Sequence, residues 1–68
     1  MNDETFNISL RKFLKMVGVS SQREIEQAVA KAVSEGVVAG NETMSAMMTL
    51  EIPALNLSVT FDGKIQLE

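Results

Sequence analysis

Leu57-Ser58-Val59-Thr60-Phe61-Asp62-Gly63-Lys64-Ile65-Gln66-Leu67 sets the number of strands in this chain and their register. Apolar Leu57, Val59 and Phe61 alternate with polar Ser58, Thr60 and Asp62, and after Gly63 the alternation resumes at Ile65 and Leu67. Asp-Gly between alternating runs is a hairpin signal. A two-residue loop would oppose Val59 to Gln66 and set the apolar sides of the two strands against each other, because opposed residues share a face. A three-residue loop of Phe61, Asp62 and Gly63 repairs the conflict. It opposes Thr60 to Lys64, Val59 to Ile65 and Leu57 to Leu67, with Gly63 in the left-handed position of a bulged turn. Upstream, Met44, Ala46, Met48, Leu50 and Ile52 alternate with Ser45, Met47, Thr49 and Glu51, the period-two pattern of a half-buried strand. Pro53 to Asn56 then forms a four-residue connection that opposes Ile52 to Leu57. The expectation is a three-stranded antiparallel meander over about 44–52, 57–61 and 64–68.

The first half has helical periodicity. Phe6, Leu10, Phe13, Leu14 and Val17 lie on one face of a 3.6-residue period. Asn2 or Asp3 can cap the start, Asp3 and Glu4 suit the positive end of the helix dipole, and Arg11, Lys12 and Lys15 suit a negative end near Gly18. A second helix is announced by Ser21 and Glu24 at capping-box spacing and carries Ile25, Ala28, Val29, Ala32 and Val33 as far as Gly36. The fold class expected is α+β: helices over about 3–17 and 21–35 form a hairpin (1–36) that packs on the meander at 44–68, with a hinge at 37–43 between them, all in one domain of 68 residues.

A domain of this size has a thin core and commonly needs disulfides, a metal or oligomerisation. The chain has no Cys and no His, which removes disulfides, thiolate zinc sites and the commonest metal ligand and leaves oligomerisation. The acidic start Met1-Asn2-Asp3-Glu4 is unlike a secretory signal, and no apolar run approaches the roughly 20 residues of a membrane span. The chain reads as soluble and cytoplasmic, so the three N-x-[ST] patterns at Asn7, Asn41 and Asn56 read as chance. The net charge of −3, with four acidic groups against one basic over residues 36–68, argues mildly against nucleic acid.

Catalysis is discounted, since neither a Ser-His nor a Cys-His pair can be built. Asp3 with Glu4, and Glu24 with Glu26, lack the spacing of an acid/base couple and read as solvated surface. Gly36 and Gly40 have G-x-x-x-G spacing without an apolar membrane helix, and no phosphate loop is spelled. No catalytic, cofactor-binding or metal residue is assigned, and no cofactor is expected. Two kinds of surface remain. Arg11, Lys12 and Lys15 form a basic cluster that could touch phosphates or an acidic partner, although dipole complementation explains it as well. Ile8, Met44 and Met47 are candidate interface residues: Ile8 and Met47 are apolar groups on outer faces, and Met44 belongs to the Met cluster of the first strand.

Arg11-Lys12-Phe13-Leu14-Lys15, Gly18 through Glu26, Gly40-Asn41-Glu42-Thr43 and Asp62 through Glu68 resemble a family of short uncharacterised bacterial proteins across nearly the whole chain. The resemblance implies a stand-alone domain of bacterial origin and carries over no activity or functional residue. The order helix, tight turn, helix, hairpin is also similar to winged helix-turn-helix DNA binders. That similarity implies Gln22, Arg23, Gln27 and Lys31 facing a groove and Lys64 on the wing, but the acidic balance and the missing third helix depart from it. The reading is a self-associating interaction or structural module, expected as a homodimer. Exchange of an element through the 37–43 hinge is a route to it. An unknown protein partner is the other, and neither a membrane nor nucleic acid is expected.

Overall fold

The computed structural model describes all residues 1–68 as two units, Met1–Val37 and Val38–Glu68. The first unit is one helix, α1, running from Asp3 to Ser34. Asn2 caps it: its side-chain oxygen accepts from the Thr5 N–H at 3.0 Å and its carbonyl from the Phe6 N–H at 3.0 Å. Asp3 and Glu4 lie in the first turn and Lys31 in the last, each sign matched to its end of the dipole. At the other end Gly36 takes φ 73°. Its N–H bonds the Val33 carbonyl, and the Val37 N–H bonds the Ala32 carbonyl at 2.9 Å. This is a Schellman closure, which satisfies carbonyls that the helix end would otherwise orphan.

The two helices expected over 3–17 and 21–35 are therefore one. Gly18 does not break the chain: its φ is not in the left-handed region, and it lies inside the helix with Ser20 and Ser21 following as helical residues. A mid-helix Gly costs about 1 kcal/mol relative to Ala. Stopping there would create two more helix ends, each with four unpaired backbone groups, and a second nucleation. Continuation is cheaper. The two apolar stripes nevertheless differ in direction. At about 100° per residue, the mean direction of Ile25, Ala28, Val29, Ala32 and Val33 is rotated by about 80° from that of Phe6, Leu10, Phe13, Leu14 and Val17. That offset is why the pattern reads as two elements.

Ala at position 18 would meet nothing within 4 Å and suits the helical backbone there. Gly18→Ala is expected to stabilise the helix by about 1 kcal/mol, read as a higher midpoint in thermal unfolding followed by helical circular dichroism. A lower midpoint would mean that Gly18 is needed as a break.

The second unit is a β-hairpin of two ten-residue antiparallel strands, β1 (Thr43–Ile52) and β2 (Leu57–Gln66), joined by a 3-10 turn at Pro53–Leu55. Asn56 completes the connection at φ 51°, a left-handed position that Asn tolerates, and its N–H bonds the Pro53 carbonyl at 3.1 Å. The four-residue connection is where the pattern places it, with Ile52 opposite Leu57.

There is no third strand. β2 runs straight through Phe61, Asp62 and Gly63, so Thr60 opposes Thr49, Val59 opposes Leu50 and Phe61 opposes Met48, in place of the pairings expected of a bulged turn. Gly63 lacks the positive φ that such a turn requires. The physical reason is ladder length. A strand ending at Phe61 would pair only half of β1, whereas continuous β2 matches its ten residues one for one and pairs the backbone groups throughout.

Candidate functional site: the apolar face of the hairpin

Period-two alternation with this register sorts the hairpin into two faces of opposite character. On one, the opposed pairs are Met44–Ile65, Ala46–Gly63, Met48–Phe61, Leu50–Val59 and Ile52–Leu57. On the other they are Thr43–Gln66, Ser45–Lys64, Met47–Asp62, Thr49–Thr60 and Glu51–Ser58. The Thr49 and Thr60 hydroxyls lie 3.2 Å apart across the polar face. Every residue of the first face is apolar or Gly. The Leu67 N–H bonds the Glu42 carbonyl at 3.0 Å and extends the ladder by one row, in phase with that face.

Glu42 is the one charged residue in that phase, and its carboxylate is already engaged. Its oxygens accept from the N–H groups of Ala39 at 2.8 Å, Gly40 at 2.9 Å and Asn41 at 3.1 Å. Gly40 supplies the φ of 105° that wraps the chain around it. The Ala39 and Gly40 N–H groups hold the Glu42 carboxyl below its ordinary value. A depressed folded value means that the stabilisation is present above the unfolded value of 4.5 and is lost as pH falls through the folded one. The Ala39, Gly40 and Asn41 amide resonances should therefore shift together in an acid titration followed by NMR, with a midpoint below 4.5. Glu42→Gln should abolish the shift. A midpoint at or above 4.5 would contradict the clamp.

No residue of either unit is buried. Relief on the apolar face is uneven. A Cβ built on Gly63 meets nothing within 4 Å, and Ala46 opposite it has only a methyl, so this row is a notch. One row away stands Phe61, 58% exposed. On the opposite, polar face, Ser45, Met47, Asp62 and Lys64, with Ala46 and Gly63 between them, line a shallow depression.

The candidate interface residues do not form one patch. Met44 lies half-buried on the apolar face, while Met47 lies on the polar face opposite Asp62, 76% exposed. Ile8 is an exposed residue of the helix. Arg11, Lys12 and Lys15 are exposed and sit in the middle of α1, so they do not complement a helix end; Lys31 occupies the last turn. The winged-helix similarity loses its basis, because Gln22, Arg23, Gln27 and Lys31 belong to the same uninterrupted helix as Phe6 and no turn separates two helices. Sequence reasoning passed over Phe61 and Gly63 as loop residues. The signal that could have found them is the unbroken odd-numbered series Leu57, Val59, Phe61, Gly63, Ile65 and Leu67.

No group of three or more His, Cys, Asp and Glu side chains could hold a metal ion, and no helix is long and apolar enough to cross a membrane. No curated protein and no solved structure matches the chain. A family model does match, over residues 1–68, the chain's whole length, and the protein therefore belongs to a family of unknown function, DUF6494.

Proposed function

We propose that this protein is a non-catalytic, self-associating structural or interaction module, most simply a two-fold homodimer. The observation that supports the reading is an apolar hairpin face and two apolar helix stripes with no buried residue among them. An isolated two-stranded hairpin is marginally stable at best in water and needs a further layer against its apolar face. Each helix stripe has the same need. Phe6 and Phe13, 54% and 46% exposed, together leave about 200 Å² of ring surface uncovered. At about 25 cal/mol per Å² that is about 5 kcal/mol of gross stabilisation on covering, comparable to the lower bound on the cost of association. Association through these groups is therefore reversible unless the hairpin face contributes too.

Sedimentation of the full chain at low and high micromolar concentrations tests the reading. A weight-average mass that rises toward twice the 7.4 kDa chain is the expected result. A well-folded, strictly monomeric species across the range would overturn it.

A further inference from the structure

We propose that the outer edge of β1 pairs antiparallel with the same edge of a second copy, about a two-fold axis at Met47, joining two hairpins into a four-stranded sheet. This rests on the self-association reading and specifies its surface. The Leu67 N–H bonds the Glu42 carbonyl across the ladder, which fixes its phase. Opposed residues of an antiparallel pair alternate between those that exchange hydrogen bonds and those that do not. Met44 and every second residue as far as Ile52 therefore turn their backbone groups to β2. Thr43, Ser45, Met47, Thr49 and Glu51 turn theirs outward. The outer edge of β1 is thus nine residues of unpaired donors and acceptors, with no Pro and with one charge, at its far end. Such an edge is a template for another strand.

Only an extended segment can pair with that edge, and one chain has none to spare. The backbone of α1 is bonded within the helix, β1 and β2 pair with each other, and residues 35–42 are bent by the positive φ of Gly36 and Gly40. The strand must come from another molecule, and β1 of a second copy fits. Met47, the one apolar residue of the polar face and 76% exposed, stands opposite Met47 of the partner subunit. Thr49 stands opposite Ser45 of the partner subunit, a favourable hydroxyl pair that continues the Thr49–Thr60 contact. Glu51 faces Thr43 of the partner subunit, which keeps the two Glu51 carboxylates about 27 Å apart along the seam, beyond the Debye length. On the other side of the sheet Leu50 meets Met44 of the partner subunit and Met48 meets Ala46 of the partner subunit. The apolar face becomes four strands wide, where a lone hairpin is marginal. The outer edge of β2 has no such match. A two-fold axis through its central outward residue sets Asp62 against Asp62 of the partner subunit, so assembly closes at the dimer.

Amide hydrogen exchange of the full chain at low and high micromolar concentrations reads the edge directly. The Ser45, Met47 and Thr49 amides should gain about tenfold or more protection with concentration, while those of Thr60, Asp62 and Lys64 on the outer edge of β2 stay fast. Proline variants separate the two edges within one row. Met47→Pro and Asp62→Pro each remove an outward N–H and no bond of the hairpin. Met47→Pro should leave the chain monomeric, whereas Asp62→Pro should keep the dimer Kd within about threefold of wild type. Circular dichroism of each variant checks the hairpin. If Met47→Pro does not fold, Met47→Lys replaces it: two ammonium groups opposed at the axis should weaken Kd by about tenfold or more. A wild-type dimer whose Ser45, Met47 and Thr49 amides exchange as fast as those of the β2 edge, or one that Met47→Pro and Met47→Lys leave intact, would overturn this interface and leave self-association standing. A wild type monomeric throughout would remove both.

Discussion

Leu50→Asp is expected to abolish the strand signal in circular dichroism and to leave the chain monomeric at every concentration. Leu50 is half-buried opposite Val59 on the apolar face. A carboxylate there loses the cross-strand contact and sits uncompensated between the Met48–Phe61 and Ile52–Leu57 rows, at a cost of about 2–4 kcal/mol once the face is covered. That exceeds what a two-stranded hairpin can absorb. The control is Ser45→Asp on the same strand but the other face. It stands opposite Lys64 and should change stability by no more than about 1 kcal/mol, in the favourable direction. Equal damage from both variants would mean that the two faces are not functionally distinct.

Inserting one residue between Phe61 and Asp62 is the second large effect. In a continuous β2 the insertion moves Ile65 and Leu67 to the polar face, or forces a bulge where Met47 now opposes Asp62. Either outcome disrupts three rows of the apolar face, at about 1–2 kcal/mol in cross-strand pairing, most of what holds a lone hairpin together. Amide hydrogen exchange should show lost protection from Thr43 to Met47 and from Asp62 to Gln66, with the Ile52–Leu57 end retained. A turn at 61–63 would instead take up the extra residue as a longer loop, with β1 unaffected. An insertion at Pro53–Asn56 would not discriminate, because both arrangements place a connection there.

The same two glycines account for most of what was legible in the residues and what was not. Around Gly18, caps and stripes were correct in kind: Asn2 caps, Gly36 closes, and both stripes are helical. The capping-box spacing of Ser21 and Glu24 nevertheless occurs inside a helix, because a capping signal has force only where the backbone has unpaired N–H groups to satisfy. Around Gly63, parity was the correct tool and was indifferent to the answer. A three-residue loop and no loop both keep Val59 and Ile65 on one face, and only the ten matching positions of β1 distinguish them. For the candidate site, Met44 was legible from its alternation. Phe61 and Gly63 were not, once Asp-Gly had been read as a turn.

Periodicity, capping chemistry and turn residues by themselves determined that this protein is α+β, where its helix begins and ends, that β1 and β2 meet at Pro53–Asn56, and which side chains share a face. Those properties depend on neighbours a few positions apart along the chain. Whether the backbone continues through Gly63 was decided only by long-range pairing with β1, and through Gly18 by the cooperativity of the whole helix rather than by any short stretch of residues. Glycine adopts helical, extended and left-handed conformations at similar cost, so the choice at each passes to hydrogen bonds made elsewhere: the uninterrupted helical ladder around Gly18, and the full length of β1 opposite Gly63.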